Sequence, residues 1–301
     1  MSLIDVFAAS PALFIGACLA VGLLVGSFLN VVIHRVPVML ERQWRSECAT
    51  LASAHVATPD AKPAPFNLVV PRSACPACHA PITAWQNIPI LSFLALRGRC
   101  AACAARISVR YPLVEALTGL MSAAVAWKFG FGFPAAAGLL LTWFLIALAF
   151  IDIDTQLLPD NLTLPLLWLG LLVSLWGQSA PGDAIPVDLR SSVIGAVGGY
   201  VALWSVYHLF RLATGKEGMG YGDFKLLGAL GAWLGWQMLL PIVLVAAAVG
   251  AVVGLIMLSI QGRDRATPIA FGPFLAASGW LTLMFGHEIV QRYWGLFATR
   301  P

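Results

Sequence analysis

The chain has 301 residues, 59% of them hydrophobic and 11% charged, with a formal net charge of +4 and a mean hydropathy of +0.84. Those proportions exclude an ordinary water-soluble globule and a disordered chain, and make lipid the solvent for most of the sequence. The surplus cations are scattered over loops, with no basic helix and no aromatic-interleaved stripe, which argues against nucleic acid as a partner.

In chain order, apolar runs of helix-spanning length occur at 12–34, 113–129, 135–151, 162–177, 191–210, 226–240, 241–260 and 268–286, where a span needs about 20 mostly apolar residues. The pattern predicts an all-α polytopic membrane protein of about eight transmembrane helices. Met1 to Pro11 carry Asp5 but no lysine or arginine, so the first run reads as a permanent helix and not as a cleaved signal. Residues 35–112, rich in polar residues and broken by Pro59, Pro63, Pro65 and Pro71, are expected to form a small water-facing domain between helices 1 and 2. The division this suggests is a first helix at 1–34, a cytoplasmic domain at 35–112 and a membrane-embedded domain at 113–301.

Within the polar segment stand two pairs, Cys75-Pro-Ala-Cys78 and Cys100-Ala-Ala-Cys103. Each pair presents two thiolates toward one point, and four thiolates close a tetrahedral shell around zinc without leaving a place for water. A structural, zinc-ribbon-like site held by Cys75, Cys78, Cys100 and Cys103 is therefore expected. Two disulfides are the alternative, disfavoured on the reducing cytoplasmic side. Neither Cys18 nor Cys48 has a partner at metal spacing, and His79 reads as a surface histidine.

The loop charges predict orientation. With the N-terminus outside, Arg35, Arg42, Arg45, Lys62, Arg72, Arg97, Arg99, Arg106, Arg110, Arg211, Lys216, Lys225, Arg263 and Arg265 all face inward. Only Lys128, Arg190, Arg292 and Arg300 face outward.

Most of the acids fall in loops or at chain ends, among them Glu41, Glu47, Asp60, Asp183, Asp188 and Asp264. Ionisable groups beside membrane helices are costly and need an account. One such group is the segment Ile151-Asp152-Ile153-Asp154-Thr155-Gln156-Leu157-Leu158-Pro159-Asp160, at the end of the third run. The other is Asp223, in Glu217-Gly218-Met219-Gly220-Tyr221-Gly222-Asp223-Phe224-Lys225. Both reach the inner face. Paired carboxylates suit peptide hydrolysis because like charges close together cannot both ionise, which sets a protonated acid beside a carboxylate base. Gly218, Gly220 and Gly222 permit positive φ and close approach of a substrate strand. A nucleotide-binding loop is excluded, since no strand precedes these glycines and a membrane helix follows. Taken singly, either aspartate could be a helix cap or an interfacial anchor.

These motifs, together with Gly26-Ser27-Phe28-Leu29-Asn30-Val31-Val32-Ile33-His34-Arg35, stand in one order over nearly the whole chain, which resembles the bacterial type IV prepilin peptidases of the GxGD aspartyl protease class. The resemblance implies Asp152 and Asp223 as the catalytic pair, with Asp154 and Asp160 as secondary candidates. It implies cleavage of leaders from prepilins and type II secretion pseudopilins at the bacterial inner membrane. It also implies N-methylation of the new terminus with S-adenosylmethionine, for which no residues are assigned and no glycine-rich adenosine site is found. Glu217 and Lys225 flank the active segment, either to meet substrate or as a solvated pair. The competing readings are a presenilin-like intramembrane protease, which expects both acids in mid-helix, and a proton-coupled transporter or assembly scaffold, which expects inverted repeats.

Overall fold

The computed structural model describes residues 3–52, 65–83, 85–177, 187–261 and 270–298. Several expectations lie outside the described residues: Pro59, Asp60, Lys62 and Pro63, Asp183, the trio Arg263, Asp264 and Arg265, and Arg300. Ten α-helices and no β-strands make up the regular structure among the described residues. They are α1 (Leu3–Ala9), α2 (Pro11–Ala52), α3 (Leu91–Ala95), α4 (Arg110–Phe129), α5 (Phe133–Thr155), α6 (Asp160–Gly177), α7 (Leu189–Thr214), α8 (Tyr221–Leu234), α9 (Leu239–Gln261) and α10 (Gly272–Ala298).

The eight long helices, α2 and α4 to α10, follow the eight apolar runs. Among the described residues four stretches, Pro11–Leu51, Phe133–Thr155, Leu189–Thr214 and Trp236–Met257, are long and apolar enough to cross a membrane by length and composition. Two boundaries differ from expectation. The first helix does not stop with the apolar run at 34 but continues through Pro37 to Ala52. Its extension carries helix-favouring charged residues, including the i,i+4 pair Glu41–Arg45 at 2.6 Å. The run at 226–240 is not one helix: α8 begins earlier, at Tyr221, and ends at Leu234, where Gly235 takes φ +83° and a short 3-10 turn leads into α9.

Two compact units divide the chain, one formed by residues 12–124 and the other by 1–11 with 125–301. In the second unit α8 is the centre, with eleven of its residues buried, Phe224, Leu226, Leu227, Ala229 and Leu230 completely so. Glycines let α7 and α8 touch backbone to backbone: a Cβ on Gly195 would meet the Gly231 carbonyl oxygen at 2.2 Å, and one on Gly231 the Gly195 oxygen at 2.1 Å. Such close small-residue crossings are how membrane helices gain packing where lipid is as apolar as the side chains. From α6, Gly170 admits the Trp233 ring, whose Nε1 donates to the Leu166 carbonyl at 2.8 Å. Several buried hydroxyls are satisfied within their own helices, as in Thr118 to Val114 O and Thr282 to Ser278 O, whereas Ser192 of α7 crosses to the Ala232 carbonyl of α8.

In the first unit α2 and α4 pack closely: a Cβ on Gly22 would lie 2.5 Å from Ser122 Oγ, and one on Gly26 would lie 2.7 Å from Glu115 Cα. Arg35, 7% exposed, donates to the carbonyls of Asn67 and Pro71 at 2.8 and 2.6 Å, which ties the polar segment to α2.

Candidate active site and cysteine cluster

Asp152 lies in the last turn of α5. That helix ends when Gln156 takes a left-handed conformation, φ 54°, and returns its N–H to the Asp152 carbonyl at 2.9 Å. Asp152 is 5% exposed; its carboxylate faces Gly272, the first residue of α10, and Oδ2 is enclosed without a protein partner.

Asp223 lies in the first turn of α8, inside the helix and not ahead of it, and is 6% exposed. Gly220 is the N-cap, and the Asp223 carboxylate, at the third helical position, folds back toward it, Oδ2 lying 3.7 Å from where a Gly220 Cβ would stand. The two buried carboxylates lie within electrostatic reach of one another. Of the two things glycine permits, Gly218, Gly220 and Gly222 use one: none adopts a positive φ, and they serve close approach. A Cβ on Gly222 would meet Leu158 Cβ at 2.6 Å, and one on Gly272 would meet Asp152 Oδ2 at 2.5 Å and Leu158 Cδ1 at 3.1 Å. Leu158, half-buried in the link from α5 to α6, is thus the side chain that both glycines pack against.

Asp154 and Asp160 do not join the pair. Asp154 is exposed, and Asp160 is bound by Lys225, whose Nζ donates to both carboxylate oxygens at 2.6 and 2.8 Å. That contact pins the start of α6 to α8, so Lys225 is neither a free loop cation nor a partner of Glu217. Glu217 is exposed, 3.9 Å from Arg211. Beside the glycine loop, Val206, Tyr207, Phe210, Gly218 and Met219 line an apolar recess of ≈ 170 Å³. Gly272 and Leu158 were not anticipated as site residues. The signal available was Phe271-Gly272-Pro273-Phe274, a glycine and proline opening the final apolar run as an N-terminal helix signature would.

The cysteine segment forms two matching knuckles. His79 N–H bonds to the Cys75 carbonyl and Ala104 N–H to the Cys100 carbonyl, both at 2.9 Å, and His79 and Ala104 take φ 58° and 57°. Isolated bridges pair Ala74 with Pro81 and Arg99 with Arg106 at the two bases. One ligand atom from each of Cys75, Cys78, Cys100 and Cys103 lies within 4.8 Å of the others, and the Cys75 and Cys103 sulfurs are 3.8 Å apart. A tetrahedral zinc with bonds of about 2.3 Å requires sulfurs about 3.8 Å apart, so the donor set and spacing fit a metal.

The thiols share that requirement. The N–H groups of Cys78 and Ala77 pull Cys75 down to about 6. Cys103 is pushed up to about 12: its Ala105 N–H favours the thiolate, but the Cys78 sulfur, burial and the Cys100 and Cys75 sulfurs outweigh it. Four thiolates at this spacing need a cation among them.

Comparison with known proteins gives two family matches. Residues 20–129 match the bacterial peptidase A24 N-terminal domain, and residues 139–255, which hold both buried aspartates, match the type IV leader peptidase family. The prepilin leader peptidase/N-methyltransferase of Stutzerimonas stutzeri is 54% identical over 295 residues, covering 97% of this chain and 98% of that protein. The protein of the same name from Pseudomonas aeruginosa is 52% identical over 293 residues, with the same coverage, and that of Neisseria gonorrhoeae 49% identical over 282 residues, covering 93% of each chain. No solved structure matches the chain.

Proposed function

The chain belongs to the type IV leader peptidase family, and from that premise we propose that Asp152 and Asp223 are the acid and base that cut the substrate. The protein is a prepilin leader peptidase and N-methyltransferase of the membrane: it removes the leader from prepilins and methylates the amino terminus so exposed. A transporter or scaffold is displaced by that relationship.

The observation that carries the dyad is the meeting of two buried carboxylates, one from the last turn of α5 and one from the first turn of α8, within reach of each other's charge. Two such groups share one proton. The ionised member takes a proton from water as it attacks the scissile carbonyl, and the protonated member donates to the carbonyl oxygen. The Gly218, Gly220 and Gly222 loop and the apolar recess beside it receive the substrate strand.

Zinc is the metal proposed for Cys75, Cys78, Cys100 and Cys103, in a structural role: with four sulfur ligands it would have no open position for substrate. S-adenosylmethionine supplies the methyl group, and type II secretion pseudopilins join prepilins as substrates. The loop charges support an inner-membrane orientation with the N-terminus periplasmic and the dyad cytoplasmic. A functional division at 1–34, 35–112 and 113–301 accompanies this reading.

The test follows the mass of a prepilin incubated with the purified protein in detergent, with and without S-adenosylmethionine. Leader loss is expected from the unaltered protein and from neither Asp152→Asn nor Asp223→Asn; normal cleavage by both variants rejects the dyad.

A further inference from the structure

The unit of residues 12–124 buries a carboxylate that the dyad does not use. Glu115, on α4, is 9% exposed, and its Oε2 accepts the N–H of Ile90 at 2.8 Å. Ile90 takes φ 58°, a conformation that a β-branched residue rarely holds and one that marks strain at functional positions. The Ser27 hydroxyl donates to Asn87 Oδ1 at 3.4 Å and lies close enough to the Glu115 carboxylate to interact with it. Asn87 is exposed, Ser27 half-buried and Glu115 buried, so a polar line leads inward from solvent. Gly26 lets α2 approach so closely that a Cβ there would be 2.7 Å from Glu115 Cα.

The groups against the Glu115 carboxylate are neutral, and among the described residues no lysine or arginine forms an ion pair with it. A buried carboxylate held only by neutral donors retains acceptor capacity and lacks a counter-charge. It is a ready receiver for a cation small enough to enter. Methyl transfer to a peptide terminus brings such a cation, the ammonium group itself.

We propose that Glu115, reached through Asn87 and Ser27, is the catalytic residue that receives the amino terminus of the cleaved peptide for methylation. The inference rests on the methyltransferase half of the function proposed above. Glu115 takes one proton from the ammonium and frees the nitrogen lone pair. That pair forms the new N–C bond to the methyl group of the sulfonium donor. The old S–C bond breaks with its electrons left on sulfur, yielding a thioether and an N-methylated terminus, and the carboxyl proton then returns to solvent along the Ser27 and Asn87 line.

The experiment separates the two reactions. A synthetic peptide with the sequence of a mature pilin amino terminus, already free of leader, is incubated with full-length protein and S-adenosylmethionine, and methyl gain is followed by mass; prepilin cleavage is measured in parallel. Glu115→Gln keeps an acceptor oxygen for the Ile90 N–H but takes no proton. Its methylation rate is expected to fall about 100-fold, with an unchanged KM for S-adenosylmethionine and continued leader cleavage. Glu115→Asp should recover part of the rate, and Ser27→Ala, which keeps the carboxylate, should lose about tenfold.

Methylation by Glu115→Gln within about twofold of the unaltered protein overturns the proposal. So does a parallel loss of cleavage and thermal stability, which marks a structural carboxylate, or a rise confined to the KM for the donor, which assigns Glu115 to the sulfonium instead. If the unaltered protein cleaves prepilin yet adds no methyl group, the methyltransferase reading itself fails, and this assignment with it.

Discussion

Among the four aspartates near the glycine loop, surroundings separate two from the rest. Asp160 spends its charge on Lys225, and Asp154 is exposed, whereas Asp152 and Asp223 are 5% and 6% exposed. Asp154→Asn and Asp160→Asn should therefore keep leader cleavage within about threefold, while the equivalent changes at Asp152 and Asp223 abolish it; a gel assay of leader removal distinguishes the four. Gly272 carries a sharper prediction. A methyl group there would sit 2.5 Å from Asp152 Oδ2, although alanine is otherwise the better helix residue. Gly272→Ala should lower kcat at least about 100-fold through displacement of one carboxylate, with little change in thermal stability; near-normal turnover would show that Asp152 has room to move. Both aspartates could be read from the chain, because charge beside an apolar run is conspicuous. Gly272 could not, since its importance lies in a contact with a residue 120 positions earlier.

Helices α7 and α8 meet through glycine against carbonyl, so there is no flexible side chain to yield. Gly231→Val should destabilise the protein by about 1–3 kcal/mol or more, seen as a lower unfolding temperature and as loss of cleavage, because α8 carries Asp223 in its first turn. The knuckles behave differently. Cys75→Ser with Cys100→Ser removes one sulfur from each, and bound zinc measured by mass spectrometry should fall from about one per chain to near none, with lower stability. Zinc content unchanged in that variant would exclude the cluster as the metal site. The cysteine pairs were legible because metal spacing is local. The matched hydrogen bonds of the two knuckles, and the residues His79 and Ala104 forced to positive φ, became visible only once the backbone was folded.

For the whole molecule, orientation is the property that decides where a substrate leader must lie. Cys48 is exposed near the end of α2. A membrane-impermeant maleimide should label it in inverted inner-membrane vesicles and not in intact spheroplasts, with Cys48→Ser as control; the opposite pattern reverses the topology. Composition, local spacing and isolated charge sufficed for a helical, membrane-embedded chain and for a metal-type set of four cysteines, and singled out the two aspartates proposed as the dyad, because none of these needs knowledge of packing. Packing alone made α8 a buried helix of 14 residues ended at Gly235, gave Lys225 to Asp160, and set Leu158 against Gly272 beside Asp152. These depend on which backbones come close enough to touch, and a glycine that admits a neighbour looks the same in sequence as one that does not.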